Sequence, residues 1–285
     1  MTTQRSDATT TTAPAAAEGR ATPSNAATPS TDGPIGTGSR GTRILGLITL
    51  AGLALSTYLA LVSSPDDENM GDVVRIIYVH VPIVVVAYVG CMITTLGSVM
   101  YLWKKSRWWD VTAAASAEIA MVTTALTLVI GMCWARPTWG VWWVWDARLT
   151  STAMLLLLLL GYLAVRRIPA ATGTRSKRAA IVGVLLLPNV IIVNRSVTWW
   201  RSLHQDTTIL NTLQPKIHGD MAFALYLAIP VALLMFAWLL VHRWRLAWLE
   251  EEVLDHDLDQ AITDRRAEAG FDARPTIADL GEAAS

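Results

Sequence analysis

Residues 81–103 read VPIVVVAYVGCMITTLGSVMYLW, a run of 23 residues without a charged side chain. A helix needs about 20 apolar residues to cross a bilayer, so this run predicts a transmembrane helix. Five further apolar segments lie outward from it, at 44–62, 111–134, 149–165, 179–194 and 221–242. The segment 179–194 is the weakest because Pro188-Asn189 interrupts it, but neighbouring helices can satisfy such a backbone. The sequence therefore predicts an all-α, polytopic integral membrane protein with six transmembrane helices.

The composition agrees with a membrane protein and argues against several other classes. Hydrophobic residues make up 53% and charged residues only 16%, against about 25% charged in soluble domains. The net charge is zero, so nothing supports a general affinity for nucleic acid. Cys91 and Cys133 form no CxxC, CxxCH or zinc-type pattern, which disfavours a disulfide scaffold and covalent haem attachment. No GxxxxGK[ST] motif occurs, so we expect no P-loop nucleotide-hydrolysing domain in this chain.

The basic residues predict the orientation in the bilayer. With the N-terminus in the cytoplasm, the inner flanks hold twelve Lys and Arg and the outer loops hold six, as the positive-inside rule requires. Both termini are then cytoplasmic, and the loops 63–80, 135–148 and 195–220 lie outside. We expect residues 1–39 to form a disordered cytoplasmic tail and residues 40–248 to form the membrane domain. Residues 249–285 predict an acidic cytoplasmic tail, of which 249–260 can extend the last helix.

The second outer loop is unusually rich in tryptophan. Residues 134–150 read WARPTWGVWWVWDARLT, with five tryptophans within twelve residues. One or two would indicate an aromatic belt at the membrane interface, but five exceed what anchoring needs. At helical spacing, Trp139, Trp142, Trp143 and Asp146 share one face. A short interfacial helix would then present an aromatic plate, which suits a large planar apolar ligand.

Two histidines flank this loop on the same predicted side of the membrane. His80 lies at the outer mouth of the second span, and His204 follows the pair Trp199-Trp200. A lone interfacial histidine is more often structural than a ligand. Two of them beside seven outer tryptophans favour iron ligation, because imidazole is a common axial ligand of haem. Of the other histidines, His218 is predicted to lie outside, and its role stays open. His242 is predicted to lie at the membrane interface, and His256 in solvent.

The charged residues near the membrane leave alternatives open. Arg136 and Arg148 bracket the tryptophan-rich loop and can pair with haem propionates or with lipid phosphate, and Arg148 can instead pair with Asp146. Glu118 lies about eight residues into the third span, where a charge costs roughly 3 kcal/mol. We expect Glu118 to face other helices as a polar relay or a helix contact. No basic residue inside the spans offers itself as its partner.

Three segments resemble the haem exporter protein C (CcmC) branch of the WWD family, whose members handle haem in cytochrome c maturation. They are residues 75–82 (RIIYVHVP), 139–151 (WGVWWVWDARLTS) and 196–205 (SVTWWRSLHQ). The resemblance covers about residues 43–245 and includes the six-span layout and the order His, tryptophan loop, His. The sequence departs from the family in its two tails, in Glu118 and in Pro188-Asn189, where members more often show Asn-Leu-Pro.

The resemblance implies a cofactor and a set of partners. His80 and His204 would be the axial ligands of a transiently and non-covalently bound haem b. The other residues of the haem site would be Trp139, Trp142, Trp143, Trp145, Asp146, Arg136, Arg148, Trp199 and Trp200. The protein would present haem at the outer face of the plasma (inner) membrane to a periplasmic-side haem chaperone (CcmE-like). It would work beside an ABC-type ATPase (CcmA-like), a permease (CcmB-like) and a small membrane protein (CcmD-like).

Two other functions fit parts of the pattern. A cytochrome c synthetase-type haem lyase, which joins haem to CxxCH peptides, normally has more spans and a large outer domain, and this sequence shows neither. A quinol-linked b-type cytochrome would need His pairs inside the spans, and no histidine lies deep in any of them. The sequence therefore predicts a haem-binding component of cytochrome c maturation that is not an enzyme, with the lyase as the alternative.

Overall fold

The computed structural model describes residues 39–68, 70–204 and 219–268, which form helices and no named strand. In this part of the chain the α-helices are α1 Arg40–Tyr58, α2 Ile77–Lys104, α3 Arg107–Trp139, α4 Ala147–Arg167, α5 Thr172–Val184, α6 Leu186–Trp199 and α7 Gly219–Glu268. A π-helical turn, Leu59–Ser63, extends α1, and a 3₁₀ turn, Asp72–Ile76, precedes α2. Six helical segments among the described residues are long and apolar enough to cross a membrane, which confirms the predicted fold class.

The helix ends near the tryptophan-rich loop differ from the prediction. α2 begins at Ile77, so His80 lies in the first turn of a helix and not in the preceding loop. α3 continues to Trp139 and ends at Gly140, whose φ of 78° is a left-handed conformation that glycine adopts without steric cost. Residues 141–146 are not helical. The predicted short helix that would align Trp139 with Asp146 is therefore wrong, because Gly140 ends one helix and Asp146 caps the next.

The fifth span consists of two helices that meet at Leu185. α5 ends at Val184 and α6 begins at Leu186, with Pro188 in its first turn. A proline lacks the N–H that would bond to the carbonyl four residues earlier, and its ring clashes with that carbonyl. For Pro188 that carbonyl belongs to Val184. The span is nonetheless 28 residues long, Thr172–Trp199, so the interruption divides the span without abolishing it.

Close contacts between helices define the bundle. Small residues let α2 approach α3, since a Cβ added at Gly90 would lie 2.9 Å from the Cβ of Ala120. Against this pair pack buried side chains of α4 and α6, including Leu155, Leu159 and Leu186. α1 lies on α7, where Gly46 faces the indole of Trp238.

One ionic contact gives Glu118 a partner from another helix. Glu118 of α3 pairs with Arg243 of α7, whose Nη2 lies 2.7 Å from Oε1 of the carboxylate. The predicted spans hold no basic partner for Glu118, and Arg243 lies one residue past the predicted end of the last span. Because α7 stays helical there, it carries Arg243 toward α3. Of the two roles considered for Glu118, the structure shows the contact between helices. α7 passes through 249–260 as a helix and reaches Glu268.

Some expectations fall on residues that the structure does not describe. The predicted N-terminal tail, 1–39, lies outside the described residues except for Ser39. His218, and the part of the acidic tail after Glu268, lie outside them as well.

Candidate functional site

A large cavity lies at the end of the bundle that holds the tryptophan-rich loop. Its volume is about 520 Å³, within the range of roughly 300–1,000 Å³ that is usual for sites of small molecules and cofactors. α2, α3, α4 and α6 form most of its wall, and Ile229 of α7 contributes as well. Each of the three predicted outer loops supplies lining residues, so the structure places the described parts of all three at one end of the bundle.

Several predicted site residues meet in this cavity. Those that line it are His80, His204, Trp139, Trp143 and Arg148. Most of the remaining lining is apolar, with residues such as Val84 and Leu128. A few polar groups set in an apolar wall are typical of a site for a large, mainly apolar ligand.

His80 lines the cavity with a buried imidazole ring. Its side chain is buried, and its Nδ1 has no hydrogen-bond partner among the described residues. The edge of the ring meets Trp134 at a centroid distance of 5.8 Å. Gly131 makes room for the ring, since a Cβ there would lie 3.3 Å from Cε1 of His80. A buried polar atom without a partner costs roughly 1–3 kcal/mol, and the described structure bears that cost at Nδ1 of His80.

His204 approaches the same cavity from the segment after α6. Its ring lies 6.4 Å from that of Trp139, edge to face. Its Nδ1 lies 3.2 Å from Nη1 of Arg148, and Nη2 of Arg148 donates to the carbonyl of Asn194 at 3.2 Å. A guanidinium can only donate, so the Nδ1 of His204 accepts and a neutral ring carries its proton on Nε2. The second histidine is thus oriented by an arginine that also lines the cavity.

Asp146 fastens the segment that carries His204 to the start of α4. Its Oδ1 accepts from the backbone N–H groups of Arg148 at 2.8 Å and Leu149 at 3.1 Å, which caps α4. Its Oδ2 accepts from the Ser202 hydroxyl and from the backbone N–H of Leu203 at 3.0 Å. Asp146 is not among the residues that line the cavity. Asp146 therefore holds the segment of His204 in place without facing the cavity itself.

The hydrogen bonds of Asp146 keep it ionised. Burial alone would raise its pKa, but the bonds from Ser202, Leu149, Arg148 and Leu203 favour the carboxylate and outweigh burial. The net result is a pKa below the ordinary value of 3.8. Asp146 therefore remains a charged acceptor through the physiological pH range.

The remaining predicted site residues lie outside the cavity wall. Four of them are tryptophans that are more than half exposed, namely Trp142, Trp145, Trp199 and Trp200. Trp145 meets the cavity-lining Trp143 edge to face, with ring centroids 5.6 Å apart. Arg136 donates to the carbonyl of Gly140 and so closes the end of α3. The structure thus separates the predicted tryptophans into cavity residues and surface residues.

The structure also adds lining residues that the sequence prediction missed. Tyr88 and Val84 follow His80 at four-residue spacing and line the cavity with it, as one face of a helix requires. That spacing could have identified them once His80 was placed in a helix. Met132 and Trp134, at the predicted end of the third span, also line the cavity, and so does Thr138, which the extension of α3 into the predicted loop brings there.

Comparison with known proteins relates the chain to one family. The family model described as heme exporter protein C, CcmC, matches residues 33–258. The chain is 34% identical over 214 residues to the heme exporter protein C of Haemophilus influenzae, an alignment that covers 73% of this chain and 85% of that relative.

Two further relatives extend the similarity. The heme exporter protein C of Escherichia coli K12 is 32% identical over 167 residues, which cover 57% of this chain and 67% of that relative. A ccmC-like mitochondrial protein of Marchantia polymorpha, whose name assigns it to cytochrome c biosynthesis, is 34% identical over 174 residues. These cover 61% of this chain and 73% of that relative.

Proposed function

The chain belongs to the heme exporter protein C (CcmC) family, and from that premise we propose that it binds haem in the cavity between His80 and His204. It presents the haem at the outer face of the plasma membrane and delivers it to a haem chaperone, without catalysing a reaction. The observation that carries this proposal is the meeting of two histidines, one with an unpartnered buried nitrogen, in an apolar cavity of about 520 Å³ walled by tryptophan.

The chemistry of the lining fits haem. Iron takes imidazole nitrogens as axial ligands, and His80 and His204 reach the cavity from separate parts of the chain. The indoles of Trp139 and Trp143 supply flat apolar surface for a porphyrin. Arg148 supplies a guanidinium for a propionate, since its fork matches a carboxylate.

Arg148 links ligation by His204 to recognition of a propionate. In the structure Arg148 donates to Nδ1 of His204, which leaves the proton of the neutral ring on Nε2. Ligation of iron through Nε2 needs that nitrogen without its proton. Such ligation would require the proton on Nδ1, where Arg148 could no longer donate, and the guanidinium of Arg148 would then be able to turn to a propionate. The same arginine therefore serves the empty and the loaded site in different ways.

The exposed tryptophans are placed for a protein contact near the cavity. Trp142, Trp145, Trp199 and Trp200 are each more than half exposed, and tryptophan is enriched in protein interfaces. We assign this surface to the periplasmic-side haem chaperone (CcmE-like). The further partners in the membrane are an ABC-type ATPase and permease (CcmA-like, CcmB-like) and a small membrane protein (CcmD-like).

Titration of the purified full-length chain with haem tests the proposal. In lipid nanodiscs we expect a six-coordinate bis-histidine spectrum from the wild-type protein. His80→Ala and His204→Ala should each lose that spectrum and weaken haem binding at least tenfold. His242→Ala is the matched control, because His242 packs edge-on against Trp238 of α7 and does not line the cavity. An unchanged six-coordinate spectrum in the double variant His80→Ala/His204→Ala would refute the ligand assignment.

A further inference from the structure

The last helix extends far beyond the length that a bilayer requires. α7 has 50 residues, which is about 75 Å at 1.5 Å per residue, whereas the hydrocarbon core is about 30 Å thick. We name residues 252–268 the α7 arm. Every residue of the arm is exposed in the structure. The arm leaves the bundle at the end opposite to the haem cavity, where Arg107, Arg166 and Arg175 lie.

A buried ionic cluster fixes the base of the arm. Glu251 is 8% exposed and meets three arginines from three helices. Its Oε1 lies 2.9 Å from Nη2 of Arg175 and 3.4 Å from Nη2 of Arg166, and its Oε2 lies 3.3 Å from Nε of Arg107. Arg166 is itself held by Asp110 at 2.6 Å. The position just before the arm is therefore tied to α3, α4 and α5 together.

Contacts one and two turns earlier reinforce this attachment. The guanidinium of Arg107 lies over the ring of Trp248 at 4.4 Å and donates to the Trp248 carbonyl at 2.9 Å. The indole N–H of Trp244 donates to the Thr112 hydroxyl at 3.1 Å. Because α7 is fastened at three successive turns, the arm projects from the bundle in a defined direction.

An apolar stripe runs along the arm. Leu254, Leu258 and Ile262 stand four residues apart and therefore share one helix face, and they are 58%, 59% and 40% exposed. The same face carries Ala247 and Glu251, which are buried against the bundle. The packing face of α7 thus continues past the bundle, and no described residue covers it there.

Acidic residues surround this stripe. The arm holds six Asp and Glu and two Arg, and Asp255 and Asp257 flank the stripe on its two sides, as their positions on the helix require. A second copy of the chain would set acid against acid, and an anionic membrane surface would repel the helix. A protein groove bordered by Lys or Arg has the complementary charge.

We propose that the α7 arm is a docking helix for a partner protein whose apolar groove is bordered by basic residues. The anchors at 4-residue spacing are those by which an amphipathic helix lies in an apolar groove. The groove would receive Leu254, Leu258 and Ile262, and its basic border would face Asp255 and Asp257. By the predicted orientation this partner is cytoplasmic. The proposal concerns the end of the molecule remote from the haem cavity and does not depend on haem binding.

Site-specific photo-crosslinking in native membranes tests the docking helix. A photoreactive amino acid replaces Leu258 in the full-length chain, and a matched chain carries it at Gln260, which is exposed on the opposite face. We expect one protein adduct from position 258, at least tenfold more abundant than from position 260. Peptide mapping should place the crosslink beside Lys or Arg residues of the partner.

Charge reversal separates docking from mere proximity. Asp255→Lys combined with Asp257→Lys should lower the adduct from position 258 at least fivefold, whereas Gln260→Lys, on the opposite face, should not. Equal amounts of each chain in the membrane fraction verify folding and insertion. Any of four results overturns the proposal: adducts with lipid, adducts with a second copy, equal yields from both positions, or no adduct.

Discussion

Gly131 controls the space available to the His80 imidazole, because a Cβ at that position would lie 3.3 Å from Cε1 of the ring. A single methyl group needs a shift of only a few tenths of an ångström, but a β-branched side chain must displace the ring. We expect Gly131→Val to weaken haem binding about tenfold, which corresponds to about 1.4 kcal/mol. The helix itself should not suffer, because valine forms helix better than glycine.

Gly161→Val is the control for this substitution. Gly161 lies in α4, also inside a helix, and a Cβ there would meet nothing within 4 Å. Titration of both variants with haem should show a loss for Gly131→Val alone. Equal affinities would mean that the ring of His80 does not contribute to binding in this position.

Asp146 acts at the scale of elements, since it joins the start of α4 to the segment after α6. Asp146→Asn keeps the shape but removes the charge and places an N–H₂ donor where two donors now converge. We expect a loss of about 1–3 kcal/mol in unfolding free energy and weaker haem retention, with the axial ligands unchanged. Denaturant unfolding followed by tryptophan fluorescence measures the first, and haem titration the second. Asp72→Asn, at an exposed ion pair with Arg75, should change stability by less than about 1 kcal/mol.

The pH dependence of this contact has a definite sign. The folded-state pKa of Asp146 is lowered, so its contribution to stability is complete above the ordinary value of 3.8 and is lost as the pH falls through the lowered folded value. The stability difference between the wild type and Asp146→Asn should therefore stay constant from about pH 8 to about pH 5 and vanish only in stronger acid. A difference that declines between pH 8 and pH 6 would contradict this assignment.

The same elements show what a sequence can and cannot predict. Hydropathy located every span, because a bilayer imposes a length on each helix. It did not locate the helix ends, since α3 continues past the predicted end at Trp134 to Trp139, in a stretch that polarity and tryptophan content mark as a loop. Glycine at position 140 was visible, but its left-handed φ was not weighed as a stop signal. The role of Asp146 was missed because its partners, Ser202 and Leu203, lie 56 and 57 residues away.

At the scale of the whole molecule, the prediction concerns orientation. Both termini should be cytoplasmic and the haem cavity should open outside, because the twelve basic residues of one side exceed the six of the other. Reporter fusions after Ser106, Asp146 and His204 check this in cells. We expect a cytoplasmic signal after Ser106 and an external signal after Asp146 and His204. A cytoplasmic signal after Asp146 would contradict the proposed delivery of haem on the outer side.

The two histidines were predicted to lie on one side of the membrane, and the structure places both in the wall of one cavity. Sequence alone could not bring them together, because the approach of α2 to the segment after α6 depends on tertiary packing. The side of the membrane on which a residue lies follows from the charges and the number of spans. Which residues it contacts on that side depends on buried side chains between the helices, such as Leu155 and Val193.

Because of the interruption at Leu185, the two proposed haem ligands stand on helical segments of unequal continuity. His80 stands on α2, which is continuous from Ile77 to Lys104 and meets α3 through glycine and alanine. His204 follows a helix that is joined to the rest of its span at a single turn without the regular bond to Val184. Such an interruption can act as a hinge between two helical segments. Under the proposed function, we therefore expect haem release to begin at His204 and to end at His80.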